Sequence, residues 1–178
     1  MKKIYFVRHG ETVWNVENKI CGVTDSPLTE LGPQQAVETG KLIQSKGVQA
    51  DLILCSPLSR AHDTANHIGE ILGVPVQVEP QLVEQNFGKY ESTPRNGEEF
   101  LAQKRRFVYD FDGGESMMRV GQRIYNLLDR LAEDDKTYIL VAHNGIARVV
   151  RSYFTNMENE EYSSFGVKNC ELVEYEYR

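Results

Sequence analysis

The chain has 178 residues, 40% of them apolar and 26% charged, with a formal net charge of −6. This is the balance of a soluble globular chain long enough to bury a core, and it excludes a disordered one. The acidic surplus argues against broad binding to nucleic acid or anionic membranes, yet leaves room for a local basic pocket.

In chain order, Met1-Lys2-Lys3 runs straight into Lys3–Val7, an apolar run expected to form a buried strand, which ends in Arg8-His9-Gly10. Ala36, Val37, Gly40 and Ile43 mark a helix expected to be capped by Thr29, with Pro33 near its first turn. Asp51–Cys55 is a second buried strand, followed by Ser56-Pro57. Leu58, Ala61, Ala65, Ile68 and Leu72 then step by three and four, the stripe of an amphipathic helix. Val74–Val78 is a weaker strand whose Pro75 suits a sheet edge. A helix is predicted over Glu98–Val108, then a loop at Asp112-Gly113-Gly114, then a helix opening near Ser116 with Val120, Ile124, Leu127, Leu128 and Leu131 inward. Thr137–Ala142 is the third strong strand, and a helix follows His143-Asn144-Gly145. From Cys170 to Tyr177 the chain alternates, with Val173, Tyr175 and Tyr177 on one face, as a half-exposed strand near an edge does.

Strands alternating with helices predict an α/β fold, a three-layer α/β/α sandwich whose mostly parallel mixed sheet is flanked by helices. No repeat or long linker divides the chain, so one domain spanning 1–178 is expected. Cys21, Cys55 and Cys170 lack metal-ligand spacing and are odd in number, as expected of reduced thiols. There is no secretory apolar segment and no 18-residue apolar span, so a cytoplasmic protein is expected.

In open α/β sheets ligands sit beyond the carboxyl ends of the strands. Arg8, His9 and Gly10 follow the first strand, Arg60 lies one helical turn beyond the second, and His143 follows the third strong one. The glycine permits close backbone approach, the arginines offer planar forks of donors, and an imidazole serves as nucleophile or base near neutrality. The helix after His143, opening with Asn144, adds free N–H groups suited to an anion. Four such groups around one point repel one another unless a dianion joins them, and phosphate is the natural choice. A neutral imidazole can attack a phosphoryl group while Arg8, Arg60 and His143 cradle its oxygens. The leaving alcohol needs a proton, and Glu84, among apolar neighbours, is the best-placed donor. This chemistry needs no metal and no cofactor.

Phe6-Val7-Arg8-His9-Gly10-Glu11-Thr12-x-Trp14-Asn15 resembles the hallmark of the histidine phosphatase superfamily, in its phosphoglycerate-mutase-like branch. Asp25 to Gly32, Ser56-Pro57-Leu58-Ser59-Arg60-Ala61, Glu84-x-x-Phe87-Gly88, Gly113 to Ser116 and Val141-Ala142-His143-Asn144-Gly145 match in order. The resemblance implies that His9 is the phosphorylated nucleophile, that Arg8, Asn15, Arg60 and His143 bind phosphate, and that Glu84 donates the proton. We add Asn144 to the phosphate ligands. Two departures stand out: Cys21 replaces a common glutamine, leaving Thr24 as a substitute contact, and Tyr90-Glu91-Ser92 replaces Trp-Glu-Gly.

Read alone, Arg8-His9-Gly10 is an ordinary strand end, Glu84 a solvated carboxylate and Asn15 a turn residue. Trp14 reads as packing, and His62 and His67, five apart on one helix, as surface groups unsuited to a shared metal. Lys104-Arg105-Arg106 reads as a solvated helix face, although its segment is able to roof the pocket. The residues together favour a metal-independent phosphomonoesterase acting on a small phosphate ester. A phosphoglycerate mutase using the same site and a non-catalytic phosphate-binding module are the alternatives. Only 58 residues, 85 to 142, lie between Glu84 and His143, fewer than in the longer mutases, and a less roofed site admits water. The expected partner is a small phosphorylated substrate, with no nucleic acid or membrane, and the chain itself a monomer or homodimer.

Overall fold

Ile4 to Val7 are buried on both faces and form most of β1 (Lys3–Arg8). β2 (Leu52–Cys55) and β4 (Tyr138–Ala142) are as apolar, and β4 is buried along its whole length, as strands covered on both sides must be. A computed structural model describes residues 1–178. It joins these strands with β3 (Val76–Val78) and β5 (Leu172–Glu176) in one sheet, in the order β3-β2-β4-β1-β5. All neighbours are parallel except β5, which runs antiparallel to β1 at one edge. Arg8 pairs with Ala142 and Cys55 with Val141, so three strands end at nearly the same level.

The period of two along the strands divides the core. Ile4, Phe6, Leu140 and Ala142 face α5 (Met117–Ala132) and α6 (Asn144–Phe154), packing with Ile124, Leu127 and Ile146. Tyr5, Val7, Ile139 and Val141 face the other way, onto Ile43 of α2 (Leu31–Ser45) and Ala61, Ala65 and Ile68 of α3 (Ser59–Leu72). Between α3 and α5 the chain forms a separate, aromatic cluster of Phe87, Tyr90, Phe100 and Phe111, joined by Ile20 from the segment before α2, with Phe87 meeting Phe100 edge-on at 5.4 Å. This cluster carries α4 (Glu98–Gln103).

The expected sandwich is what the chain adopts, with local differences. Thr29 is not the cap of α2; Glu30 holds that position without a side-chain bond, and the Thr29 hydroxyl donates to Glu11 Oε1 at 2.9 Å. α4 stops at Gln103 rather than Val108, because the chain turns there to deliver Phe111 into the aromatic cluster. Two short helices, α1 (Val13–Val16) and α7 (Asn159–Ser164), lack an apolar stripe long enough to signal them. Ser116 does open α5, accepting from the Arg119 N–H. No helix is long and apolar enough to cross a membrane.

Candidate active site

The sheet ladder runs one residue past β1 and β2: His9 N–H donates to Ala142 O at 2.9 Å, and Ser56 N–H to Val141 O at 3.0 Å. His9 and Ser56 are thereby fixed by backbone bonds before any side-chain contact is made, and His143 follows Ala142 at the end of the strand between them. His9 Nδ1 lies 2.7 Å from Gly10 O. A carbonyl only accepts, so the ring proton sits on Nδ1 and the lone pair on Nε2. Asn169 holds the same backbone, its Nδ2 donating to His9 O at 3.0 Å and to Asn15 Oδ1 at 3.1 Å.

The His143 ring centroid is 5.3 Å from that of His9, and its Nε2 is 2.7 Å from Ser56 Oγ. Burial, then the charges of Arg60 and Arg8, hold the His9 imidazole well below its ordinary 6.5. Burial, Arg60 and His9 do the same to His143. Both rings are therefore neutral at neutral pH, as a nucleophilic imidazole must be.

Arg60 is 1% exposed. Its Nη1 donates to Thr24 O at 2.9 Å and its Nη2 to Gly22 O at 2.6 Å, while the nearest carboxylate oxygen, Asp25 Oδ1, is 3.5 Å from Nη1. Arg8 Nη1 donates to Val167 O at 2.7 Å. Burial, followed by the charge of Arg95, pushes the Arg8 guanidinium down to about 10. Arg8 Nε, Arg60 Nε and His143 Nδ1 are buried without a hydrogen-bond partner. Each such atom costs about 1–3 kcal/mol when left unpaired.

A cavity of about 190 Å³ opens beside these groups, lined by Arg8, His9, Asn15, Cys21, Glu84 and Asn144 among others. Arg60 and His143 are not among its lining residues; both are buried next to His9. Glu84 is not surrounded only by apolar groups, as its sequence context suggests. Its Oε1 accepts from Gln85 N–H at 2.8 Å and its Oε2 from Gly145 N–H at 3.0 Å. A Cβ at position 145 would lie 2.4 Å from Glu84 Oε1, so glycine there is what lets the carboxylate reach the first turn of α6. Asn15 is both things sequence suggests. It closes a capping box with Thr12, and because its Oδ1 accepts from Thr12 and Asn169, its NH₂ remains for the cavity. Asn144 Oδ1 likewise accepts from Val167 N–H at 2.9 Å.

Other expectations need correction. The close approach at Gly10 is to protein, since a Cβ there would sit 2.8 Å from Gly32 O. Thr24 does not replace the missing glutamine: its hydroxyl donates to Glu91 Oε1 at 2.8 Å. Cys21 lines the cavity as a thiol, its ionisation pushed up to about 11 by burial. Lys104 lines the cavity too, whereas Arg105 is exposed, 3.8 Å from Glu160. Sequence reasoning missed Arg148, Asn169 and the role of Gly145. Only Arg148 carried a signal, lying one helical turn after Asn144 on the same face.

Two neutral imidazoles and two buried guanidiniums thus gather at the carboxyl ends of three neighbouring strands of an α/β sheet. A family model of the histidine phosphatase superfamily (branch 1) matches residues 4–178, and the chain belongs to that superfamily. A probable phosphoglycerate mutase of Yersinia pestis is 30% identical over 187 aligned positions, covering 100% of this chain and 86% of that protein. Among solved structures, a mycobacterial glucosyl-3-phosphoglycerate phosphatase in complex with VO3 is 27% identical, with a TM-score of 0.86 over 98% of this chain and 92% of its own. A phosphoserine phosphatase from Entamoeba histolytica in complex with 3-phosphoglyceric acid is 30% identical, with a TM-score of 0.83 over 98% and 90%. The company of phosphatases and a mutase supports a catalytic, phosphatase-like role.

Proposed function

We propose that the chain is a phosphomonoesterase that hydrolyses a small phosphate ester through a phosphohistidine on His9, without metal or other cofactor. The observation that carries this reading is the His9 ring, which lines the cavity with its proton held at Nδ1 and its lone pair at Nε2. Nε2 attacks phosphorus, and the N–P bond forms as the bond to the ester oxygen breaks. The leaving alkoxide takes a proton from the Glu84 carboxyl. In the second half, Glu84 accepts a proton from water as the water oxygen attacks phosphorus and His9 is released. Arg8, Arg60 and His143 stabilise the equatorial oxygens, with the NH₂ groups of Asn15 and Asn144 assisting. The cavity, at about 190 Å³, suits a metabolite-sized ester better than a phosphopeptide. We place the enzyme in the cytoplasm as a monomer or homodimer without nucleic-acid or membrane partners, in keeping with its net charge of −6.

Retention of the phosphoryl group for return to substrate would make the same site a mutase, the reading favoured by the name of the Yersinia relative. Incubation with an aryl phosphate in excess EDTA, with and without an alcohol acceptor, tests both. The expected result is release of inorganic phosphate unaffected by EDTA and lost in His9→Ala. Dependence on added metal, or full activity in His9→Ala, would overturn the proposal, and transfer mainly to the acceptor would favour the mutase.

A further inference from the structure

His9 and His143 are alike in type and in burial, yet the proposed chemistry asks only one of them to be a nucleophile. Their ring centroids lie 5.3 Å apart, and burial, then Arg60, lowers the basicity of both. Neither burial nor charge tells the two apart. What differs is the partner of each ring. His9 gives its Nδ1 proton to the Gly10 carbonyl, 2.7 Å away, and the Gly10 N–H is anchored on Thr64 Oγ1 at 3.0 Å. His143 meets a hydroxyl instead: its Nε2 lies 2.7 Å from Ser56 Oγ, while its Nδ1 is buried with no partner.

A hydroxyl donates or accepts, so the Ser56 proton is placed by its other contacts. Ser56 and His143 are both fully buried. Ser56 Oγ already accepts from the Leu58 N–H at 3.3 Å. Its own proton has one hydrogen-bond partner left, the lone pair of His143 Nε2. Donation in that direction puts the His143 proton on Nδ1 and leaves one buried orphan, the Nδ1 N–H. The reverse direction, with Nε2–H donating to Oγ, strands the Ser56 proton and also leaves a bare Nδ1 lone pair. Two buried orphans cost more than one, so the first arrangement holds.

We infer that Ser56 is a positioning residue that fixes His143 as its Nδ1–H tautomer, making His143 a hydrogen-bond donor to the phosphoryl group and leaving His9 as the one of the pair with a free lone pair. The division of labour between two neighbouring histidines then comes from a carbonyl beside one and a hydroxyl beside the other. Ser56 is well held for this task, its N–H donating to Val141 O at 3.0 Å in the strand that leads into His143. A donor oriented in advance needs no reorganisation as charge develops on the phosphoryl oxygens. The inference rests on the phosphomonoesterase reading for the group His143 serves, but not for the tautomer itself.

Nuclear magnetic resonance of protein carrying nitrogen-15-labelled histidine reads the tautomer directly, because protonated and bare ring nitrogens resonate far apart. In the ligand-free wild type, His143 should show a protonated Nδ1 and a bare Nε2. In Ser56→Ala the Nε2 signal should move towards the protonated position, and orthovanadate should bind about tenfold more weakly, the scale of one hydrogen bond to a charged group. Turnover of an aryl phosphate should fall about tenfold, short of the roughly 100- to 1000-fold that follows outright loss of such a donor. Ser56→Thr keeps the hydroxyl and should keep the tautomer. Thr64→Val removes a hydroxyl from the His9 side and should leave the His143 signals in place. A proton on Nε2 in the wild type, or His143 signals unmoved in Ser56→Ala, would overturn the inference even where turnover falls. Equal movement in Thr64→Val would show general loosening of the site and overturn it too. The Nδ1–H tautomer in a protein whose His9→Ala variant still turns over would keep the tautomer assignment and remove the phosphohistidine reading.

Discussion

His9 and His143 are each asked to be neutral inside a ring of cations, and the cost of that arrangement is measurable. Their folded pKa values lie well below the ordinary 6.5, with burial the leading cause and Arg60 next. Between those lowered values and about 6.5 the unfolded chain binds more protons than the folded one, so stability rises with pH across that window. It is fully present above 6.5 and is lost on acidification. Thermal unfolding should therefore show Tm falling from about pH 7 to about pH 5, with a shallower fall in His143→Gln, which lacks one of the two groups. An identical slope in wild type and variant would contradict the assignment. The residues that end strands were legible from sequence, because a strand's carboxyl end is set by local pattern: Arg8, His9, Arg60 and His143 are all read this way. Lys104 was not. Adjacent cations look alike in sequence, and only the turn after Gln103 sends Lys104 inward and Arg105 out.

At the level of elements, the site depends on a loop that sheet and helices do not themselves fix. Residues 21–24 hold Arg60 through the carbonyls of Gly22 and Thr24, and Glu91 holds the loop. Glu91 Oε1 accepts from Gly22 N–H at 3.2 Å and Thr24 N–H at 2.9 Å, while Oε2 accepts from Phe87 N–H at 3.1 Å. One carboxylate thus ties the Arg60 support to the aromatic cluster. In Glu91→Ala, kcat/KM for an aryl phosphate should fall by about 10- to 100-fold, the scale of a displaced positioning group. Glu91→Gln should recover part of the loss and circular dichroism should be unchanged. Wild-type kinetics in Glu91→Ala would show that Arg60 needs no such support. Strands and long helices were readable because apolar period and length announce them. Glu91's contacts to the 21–24 loop span 67 and 69 residues, and Thr29's bond to Glu11 spans 18, so none of these leaves a local trace.

For the molecule as a whole, parallel order is what turns distant segments into one site. β1, β4 and β2 lie side by side and end together, so residues 9, 56 and 143 meet without any of them being close in sequence. The whole-chain charge of −6 hides a cavity with five cationic side chains and one carboxylate in its wall. Average charge therefore argues against polyanionic partners without revealing the pocket's own sign. The sandwich, the parallel order and the strand-end cluster were all within reach of sequence. The meeting of Lys104 and Arg148 in the cavity wall was not, since they come from the end of α4 and from α6, which no local pattern brings together. The central claim is a covalent bond between phosphorus and His9 Nε2. Rapid mixing with a phosphate ester, quenching in alkali and peptide mass spectrometry tests it directly. The account predicts one acid-labile phosphoryl group on the peptide containing His9, formed and lost at rates compatible with turnover. Turnover without that adduct, or with the phosphoryl group on another residue, would contradict it.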